Sequence, residues 1–423
     1  MKKKSILIAV NIFVIIFTTQ SIFAQTKIKN SFMQISAGRE HFLALHLYGT
    51  VWAWGSNHDG QLGDGTFVDK NSNPVQVSGI SNITMIAAKN SHSLALKKDG
   101  TVWAWGNNYY GQLGDETTIN KNNPVKVSGI SNIIMIAAGK YHNLALEKDG
   151  SVWAWGKNNG LLGDETSTNR NKPVQVSGLS NVSMIAAGNT HNLARKIDGS
   201  VWAWGSNKGL LGSETALNNN PVQVSELSNV TMITAGDSCS LALKLDGTVW
   251  AWGYNANGQL GDGTTENQSN PVQVLGLSNV TMISTGSNHN IALKSDGKIW
   301  SWGYNSNGQL GDGTTTNKNS PVLVPELSNI NMISAGEYYN LVLKDNDTLW
   351  IWGSNYYGQL GDGTNVNENY NPIRISKLSD FNIIVEPSYH SLALKTDGTV
   401  WSWGFNFHGQ LGDGTIIDRS SPV

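Results

Sequence analysis

Apolar and polar positions alternate along residues 82–127 in four short runs. NITMIAAKN (82–90) is rich in β-formers. HSLALKKDG (92–100) places Leu94 and Leu96 on one side of an extended chain. TVWAWG (101–106) follows at once, and PVKV (124–127) comes after a glycine-rich loop. A period of two, with β-branched and aromatic residues between turn residues, predicts strands, here termed a, b, c and d. Asp99-Gly100 predicts a two-residue hairpin between b and c, because glycine accepts the positive φ of such turns. Equivalent Asp-Gly pairs stand at 149–150, 198–199, 246–247, 296–297 and 397–398. No segment has helical periodicity.

The pattern recurs. Trp-x-Trp-Gly begins at residues 52, 103, 153, 202, 250, 300, 350 and 401, in steps of 48 to 51 residues, and these copies hold all sixteen tryptophans. A period near 50 with four strands per unit predicts an all-β fold, a single β-propeller of four-stranded blades. Within strand c, Trp103 and Trp105 point to one face, and Val102 and Ala104 to the other. Large residues facing small ones suit stacked blades, so the sixteen indoles are expected to be buried between blades.

The loop between strands c and d, WAWGSNHDGQLGDGT (52–66) in the first copy, has the composition of a phosphate or calcium loop. A phosphate loop enters a helix, and no helical pattern follows Thr66. A calcium loop needs oxygen ligands at alternating positions, and Gln61 and Gly63 break that series. Asp59 is replaced by Tyr110, Asn257, Asn307, Tyr357 or His408 in other copies. A structural turn is therefore expected: Gly60 and Gly63 allow the backbone angles, Leu62 points inward, and Asp64 accepts backbone N–H groups. His41, His92, His142, His191, His289 and His390 share one repeat position, where Cys239 and Tyr339 stand in the other two. Equivalent positions on separate blades lie too far apart for one zinc ion. Each histidine is expected to bond its own blade's backbone, and no metal or cofactor is expected.

The pattern AGxxHxLALxxDGTVWAWGxNxxGQLGDGTxxxxxxPVxV resembles the repeat of the regulator of chromosome condensation family over about residues 31–423. GQLGDG stands unchanged at 60–65, 258–263, 308–313, 358–363 and 409–414. The resemblance implies a propeller, typically of seven four-stranded blades. Eight repeats occur here, the last stopping at SPV (421–423), partway into its strand d. A seven-bladed ring would leave one repeat with an uncovered face. Eight blades are expected, with the chain as a piece of a longer array as the alternative.

Function in a repeat ring should lie where the repeats differ. The a–b turns and c–d loops are expected on one face, and the repetitive Asp-Gly turns and d–a links on the other. The first face varies and carries aromatic rings: His58, Tyr109, Tyr110, Tyr254, Tyr304, Tyr356, Tyr357, Phe405, Phe407 and His408 on c–d loops, with Tyr141, Tyr338 and Tyr389 on a–b turns. Aromatic residues on variable loops over a rigid scaffold suit recognition. The alternative is that they cover seams between blades. Repeats three and four depart most, with NNGLLGDET (158–166) and NKGLLGSET (207–215). Arg195 stands where neighbours have Leu146 or Leu243, and it needs a partner. The sector from Gly160 to Cys239 is either a contact site or drift.

Residues 1–24 combine Lys2, Lys3 and Lys4, a short apolar run from Ile6 to Phe17, and Ile22-Phe23-Ala24 before a cut. That is the layout of a secretory signal peptide, leaving residues 25–423 as the propeller. The run is short for a membrane span of roughly 20 residues, so no membrane insertion of the mature chain is expected. After cleavage, 26 basic residues face 31 acidic ones, with no basic tail, which argues against nucleic acid as partner. Cys239 is the only cysteine, so no internal disulfide can form. These features together predict a non-enzymatic, exported monomer that binds an extracellular or cell-surface protein or glycan. Two alternatives stand beside it. One is guanine nucleotide exchange on a small GTPase, which the family resemblance implies. The other is an extracellular hydrolase or lyase, for which Glu40, Glu337, Arg39 and Arg195 are the singular candidates, though nothing places them together.

Overall fold

Each repeat folds as one antiparallel sheet with its strands in chain order. In blade 2 these are Ile83–Lys89, His92–Lys97, Val102–Gly106 and Lys121–Lys126. The computed structural model describes residues 32–423 except 70, 206–210, 213–217, 365, 367, 376–378 and 386–388, so the expected leader at 1–24 and much of the loop at 207–215 lie outside the described residues. Seven sheets have four strands. The eighth has Phe381–Val385, His390–Lys395 and Val400–Gly404, and its fourth place is held by the bridge Gly404–Arg419 and paired bonds between Ser402 and Val423. The described residues are all β, in eight blades rather than the seven typical of the resembling family.

The ring closes between blades 8 and 1. Ile35, Phe42, Ala44 and Trp54 pack with Ile383, Leu392 and Leu394, and Trp54 Nε1 donates to the Gln410 carbonyl at 3.0 Å. Strand a is innermost in every blade. Its small residues, such as Ala37, Ala88, Ala138 and Ala187, line a central channel of about 510 Å³.

The seams explain the repeat sequence. Trp155 of blade 3 packs against Leu94, Val102, Ala104 and Leu113 of blade 2. Among the described residues, in seven of the eight blades the indole N–H of the second tryptophan reaches the loop of the preceding blade, as Trp105 does to the Gln61 carbonyl at 2.8 Å. The same carbonyl accepts Ser93 Oγ at 3.0 Å. In blade 3, where Leu161 replaces glutamine, its carbonyl still accepts Trp204 Nε1 and Asn192 Nδ2, so the exchange keeps that seam intact. Gly106 ends strand c at φ 101°, and a Cβ there would sit 2.6 Å from the Ser91 carbonyl. That close approach requires glycine.

Two expectations need correction. Only the second tryptophan of each pair is buried, at 0–3% exposure. The first is half-buried, with a lysine ammonium over its ring in most blades, as Lys196 lies 4.2 Å from Trp202. The reason is position along the strand: the first indole lies at the end beside the Asp-Gly turn, away from the preceding blade's loop that closes on the second. The histidines are buried, and five of the six bond the following blade, not their own, while His390 instead stands edge-on to Phe42 of blade 1. His92 Nε2 meets Asn143 Oδ1 at 2.8 Å, His142 meets Asn192 at 2.7 Å, and His41 meets Ser93 Oγ at 2.9 Å. In blade 7, Tyr339 replaces this link by donating to the His390 carbonyl at 2.5 Å.

Candidate functional site

The c–d loop is built on one buried asparagine. Asn57 Oδ1 accepts Leu62 N at 3.0 Å, and its Nδ2 donates to Asp64 and Thr66. Asp64 accepts Thr66 N and Oγ1, both at 2.9 Å. Gly60 and Gly63 have φ of 82° and 67°, and Leu62 is buried. The glycine-rich loop is thus a self-satisfied turn. Asp115, its counterpart in blade 2, shows the consequence for charge. Burial opposes its ionisation, yet bonds from Thr117, Asn108 and Lys121 hold its carboxyl below the ordinary range.

These loops and the a–b turns meet on one face, because the loop of each blade touches the turn of the next. Two aromatic groups form there. At the seam of blades 2 and 3, Tyr109 stands edge-on to Tyr110 at 4.8 Å, and Tyr110 to Tyr141 at 5.3 Å. At the seam of blades 7 and 8, Tyr357 contacts Tyr389 at 5.4 Å and Phe405 at 4.8 Å. Phe407 and His408 extend this group, with ring centroids 5.1 Å apart. His408 reaches blade 1, with Nε2 3.6 Å from Glu40 and Nδ1 3.8 Å from Asp69.

The rings divide by exposure. Tyr109 is 73% exposed, Tyr356 58% and Phe407 51%. His58 is also exposed, and Tyr254 and Tyr357 are each 38% exposed. Tyr110, Tyr141, Tyr304, Tyr338, Tyr389 and Phe405 are half-buried. The half-buried rings at 110, 141 and 389 do cover seams, while the exposed ones project beyond them. Tyr254 and Tyr304 join neither aromatic group among the described residues.

The charges missed by reading only aromatics are on this face too. The channel mouth carries Arg39, Lys89 and Lys140 from blades 1 to 3, and Asp237 and Glu337 from blades 5 and 7. Asp237 accepts from Asn189 Nδ2 and Ser287 Oγ, tying three blades. Burial, with the Glu337 carboxylate beside it, pushes the Tyr338 hydroxyl well above its usual range. Among the four singular residues, Arg39, Glu40 and Glu337 share this face. Arg195 does not: it lies at the far end of strand b, where it donates to the Val230 carbonyl and to Ser183 Oγ at 2.8 Å. Its partners are therefore the next blade's backbone and a hydroxyl in its own blade. Cys239 is buried, and burial pushes its thiol up to about 12. The signal that could have found the charges was the residue after the a–b turn glycine, Arg39 and Lys140 against Asp237 and Glu337, with Lys89 in the glycine's own place in blade 2.

The chain matches known families along most of its length. The "RCC1-like domain" profile matches residues 17–291. The "Regulator of chromosome condensation (RCC1) repeat" matches 296–343 and 346–394. Probable E3 ubiquitin-protein ligase HERC6 of Homo sapiens is 43% identical over 82 residues, 19% of this chain and 8% of that protein. Ultraviolet-B receptor UVR8 of Arabidopsis thaliana is 39% identical over 82 residues, 19% of each chain. The match thus spans less than a tenth of the first protein and about a fifth of the second. Prp20p from Saccharomyces cerevisiae, described with its binding properties to Gsp1p and histones, is 26% identical with a TM-score of 0.63, over 78% of this chain and 87% of that one. Human WBSCR16, at 23% identity and a TM-score of 0.62 over 74% and 86%, shares the fold.

Proposed function

We propose, from the premise that this chain belongs to the RCC1-like repeat family, that it is an exported interaction module binding a protein partner through its variable face. The carrying observation is the set of rings that project from the seams: Tyr109, Tyr356 and Phe407 are more than half exposed. Exposed aromatic clusters on a rigid scaffold mark interaction surfaces. Prp20p, which binds Gsp1p and histones, supports a protein as the class of partner. The leader supports a partner outside the cell. Binding of this kind requires no catalysis by the propeller, whose repeated aspartates are engaged in their own turns.

Export has a direct test. The chain recovered outside the cytoplasm should begin at Gln25 by N-terminal sequencing. A product that stays in the cytoplasm and starts at Met1 would remove the extracellular reading.

The face is tested by capture from cell-surface extracts, with the partner identified by mass spectrometry. Tyr109→Ala, Tyr356→Ala and Phe407→Ala together should abolish capture. Because these side chains are exposed, each substitution should change stability by only about 0.5 kcal/mol. Unchanged capture by a folded triple variant would move the site off this face.

A further inference from the structure

We propose that the seam of blades 2 and 3 is a docking site for an acidic peptide segment of the partner, with Lys140 and Lys157 receiving its carboxylates. This rests on the reading that the variable face binds protein. Lys157 Nζ lies 5.1 Å from the Tyr110 ring centroid and 5.3 Å from that of Tyr141. Lys140 Nζ lies 5.5 Å from the same Tyr141 ring. Two ammonium groups therefore crowd one tyrosine.

The cations that open strand d beside these loops are neutralised by the loop aspartate. Lys121 pairs with Asp115 at 3.3 Å, Lys318 with Asp312 at 3.3 Å, and Arg419 with Asp413 at 2.6 Å. In blade 3 that aspartate, Asp164, is taken by Arg170 at 2.7 Å. Lys140 and Lys157 make no ion pair among the described residues. An uncompensated pair of cations persists here in a chain whose formal net charge is −2. The field extends inward, since Lys140 also lines the channel mouth beside Lys89 and Arg39, while Asp237 and Glu337 occupy the far side. An anion approaching the face is steered to blades 1–3.

The geometry of the rings favours a peptide over a sugar or a nucleic acid base. Tyr109 and Tyr110 stand at 89°, and Tyr110 and Tyr141 at 60°. Pyranose rings and bases stack on flat platforms, whereas an edge-to-face corner receives a compact apolar side chain. Carboxylates on flanking residues would then lie within reach of the two lysines.

The test uses the full chain and a labelled peptide alternating glutamate and leucine, with a lysine–leucine counterpart as control, followed by fluorescence anisotropy. The acidic peptide should bind and the basic one should not. Raising salt from about 0.05 to about 0.3 M should weaken binding severalfold, because the contact is exposed. Lys140→Glu with Lys157→Glu should weaken it at least tenfold, Lys140→Glu alone severalfold, and Lys98→Glu with Lys148→Glu, exposed beside the Asp-Gly turns of the opposite face, not at all. The single variant at exposed Lys140 keeps the result readable if the double variant fails to fold. Equal binding of both peptides, or full affinity in a folded lysine variant, overturns the proposal. So does tighter binding of polygalacturonate or single-stranded DNA that depends on the same lysines. If the captured partner is lost on changing Tyr356 and Phe407 but kept by the lysine variants, this docking site falls while the face reading stands. If both sets keep the partner, both fall.

Discussion

Lowering the pH from about 7 to about 5 is expected to unfold the ring. Six histidines are buried at the blade seams, and burial pushes His92, His142, His191 and His289 down to about 4 and His41 and His390 to about 3. In the unfolded chain each returns to about 6.5. The native state thus binds fewer protons than the unfolded state between these values, so stability rises with pH there and is lost as pH falls below about 6.5. One pH unit is about 1.4 kcal/mol per histidine, so six together remove on the order of 8 kcal/mol at about pH 5.5. Domains are stable by about 5–15 kcal/mol, so a midpoint near pH 5 follows. The loop carboxylates Asp115, Asp164, Asp312 and Asp413 are held below their usual range and add their loss only under about pH 4. Urea titrations across this range should show stability falling with a slope that steepens toward about six protons by about pH 5.5, and His142→Gln should reduce that limit by about one. A flat profile from about pH 7 to about 5 would show that the histidines take up protons without cost to the fold.

The histidine register shows what the repeat made legible. Their shared position announced a structural role, and the sequence pattern excluded a common metal site. Their bonds to the next blade were not legible, because the partners are ordinary Ser93, Asn143 and Asn192, one residue past the next histidine. Strand assignment and repeat number were legible for a related reason: a period of two and a period near 50 act on every residue. Which end of the strand is covered depends on where the preceding blade's loop closes on it, as Gln259 and Gly261 do on Trp302, and no local pattern encodes that. Arg195 illustrates the same limit. Its oddity was visible, while its carbonyl partner at Val230 comes from the following blade. On the candidate face, the aromatic loops were visible as variable positions. The split into a lysine-flanked group at blades 2 and 3 and a carboxylate-flanked group at blades 7, 8 and 1 arises only when loop and turn of adjacent blades meet.

The second large effect separates two tryptophans that look equivalent in Trp300-Ser301-Trp302-Gly303. Trp302 is fully buried against Leu241, Val249, Ala251 and Leu260 of the preceding blade. Its Nε1 donates to the Gln259 carbonyl at 3.0 Å, and a Cβ on Gly261 would lie 2.9 Å from its Cδ1, so the loop closes directly on the indole. Loop and strand backbones hold the walls of this site, leaving little room for collapse after truncation. Trp302→Ala should therefore cost about 3–5 kcal/mol. Trp302→Phe keeps most of the apolar volume and removes one donor, while Asn290 Nδ2 still satisfies the Gln259 carbonyl at 2.7 Å. About 1–2 kcal/mol is expected for it. Trp300 is half-buried beneath Lys294, whose Nζ is 5.7 Å from the ring, and solvent can fill the space it leaves. Trp300→Ala should cost about 1 kcal/mol, the loss of partial burial and one exposed cation–π contact. Guanidinium denaturation of the three variants at neutral pH measures the ranking. Equal losses at 300 and 302 would mean that the two indoles share the seam equally, and that the hydrogen bond to the preceding loop adds nothing to blade cohesion.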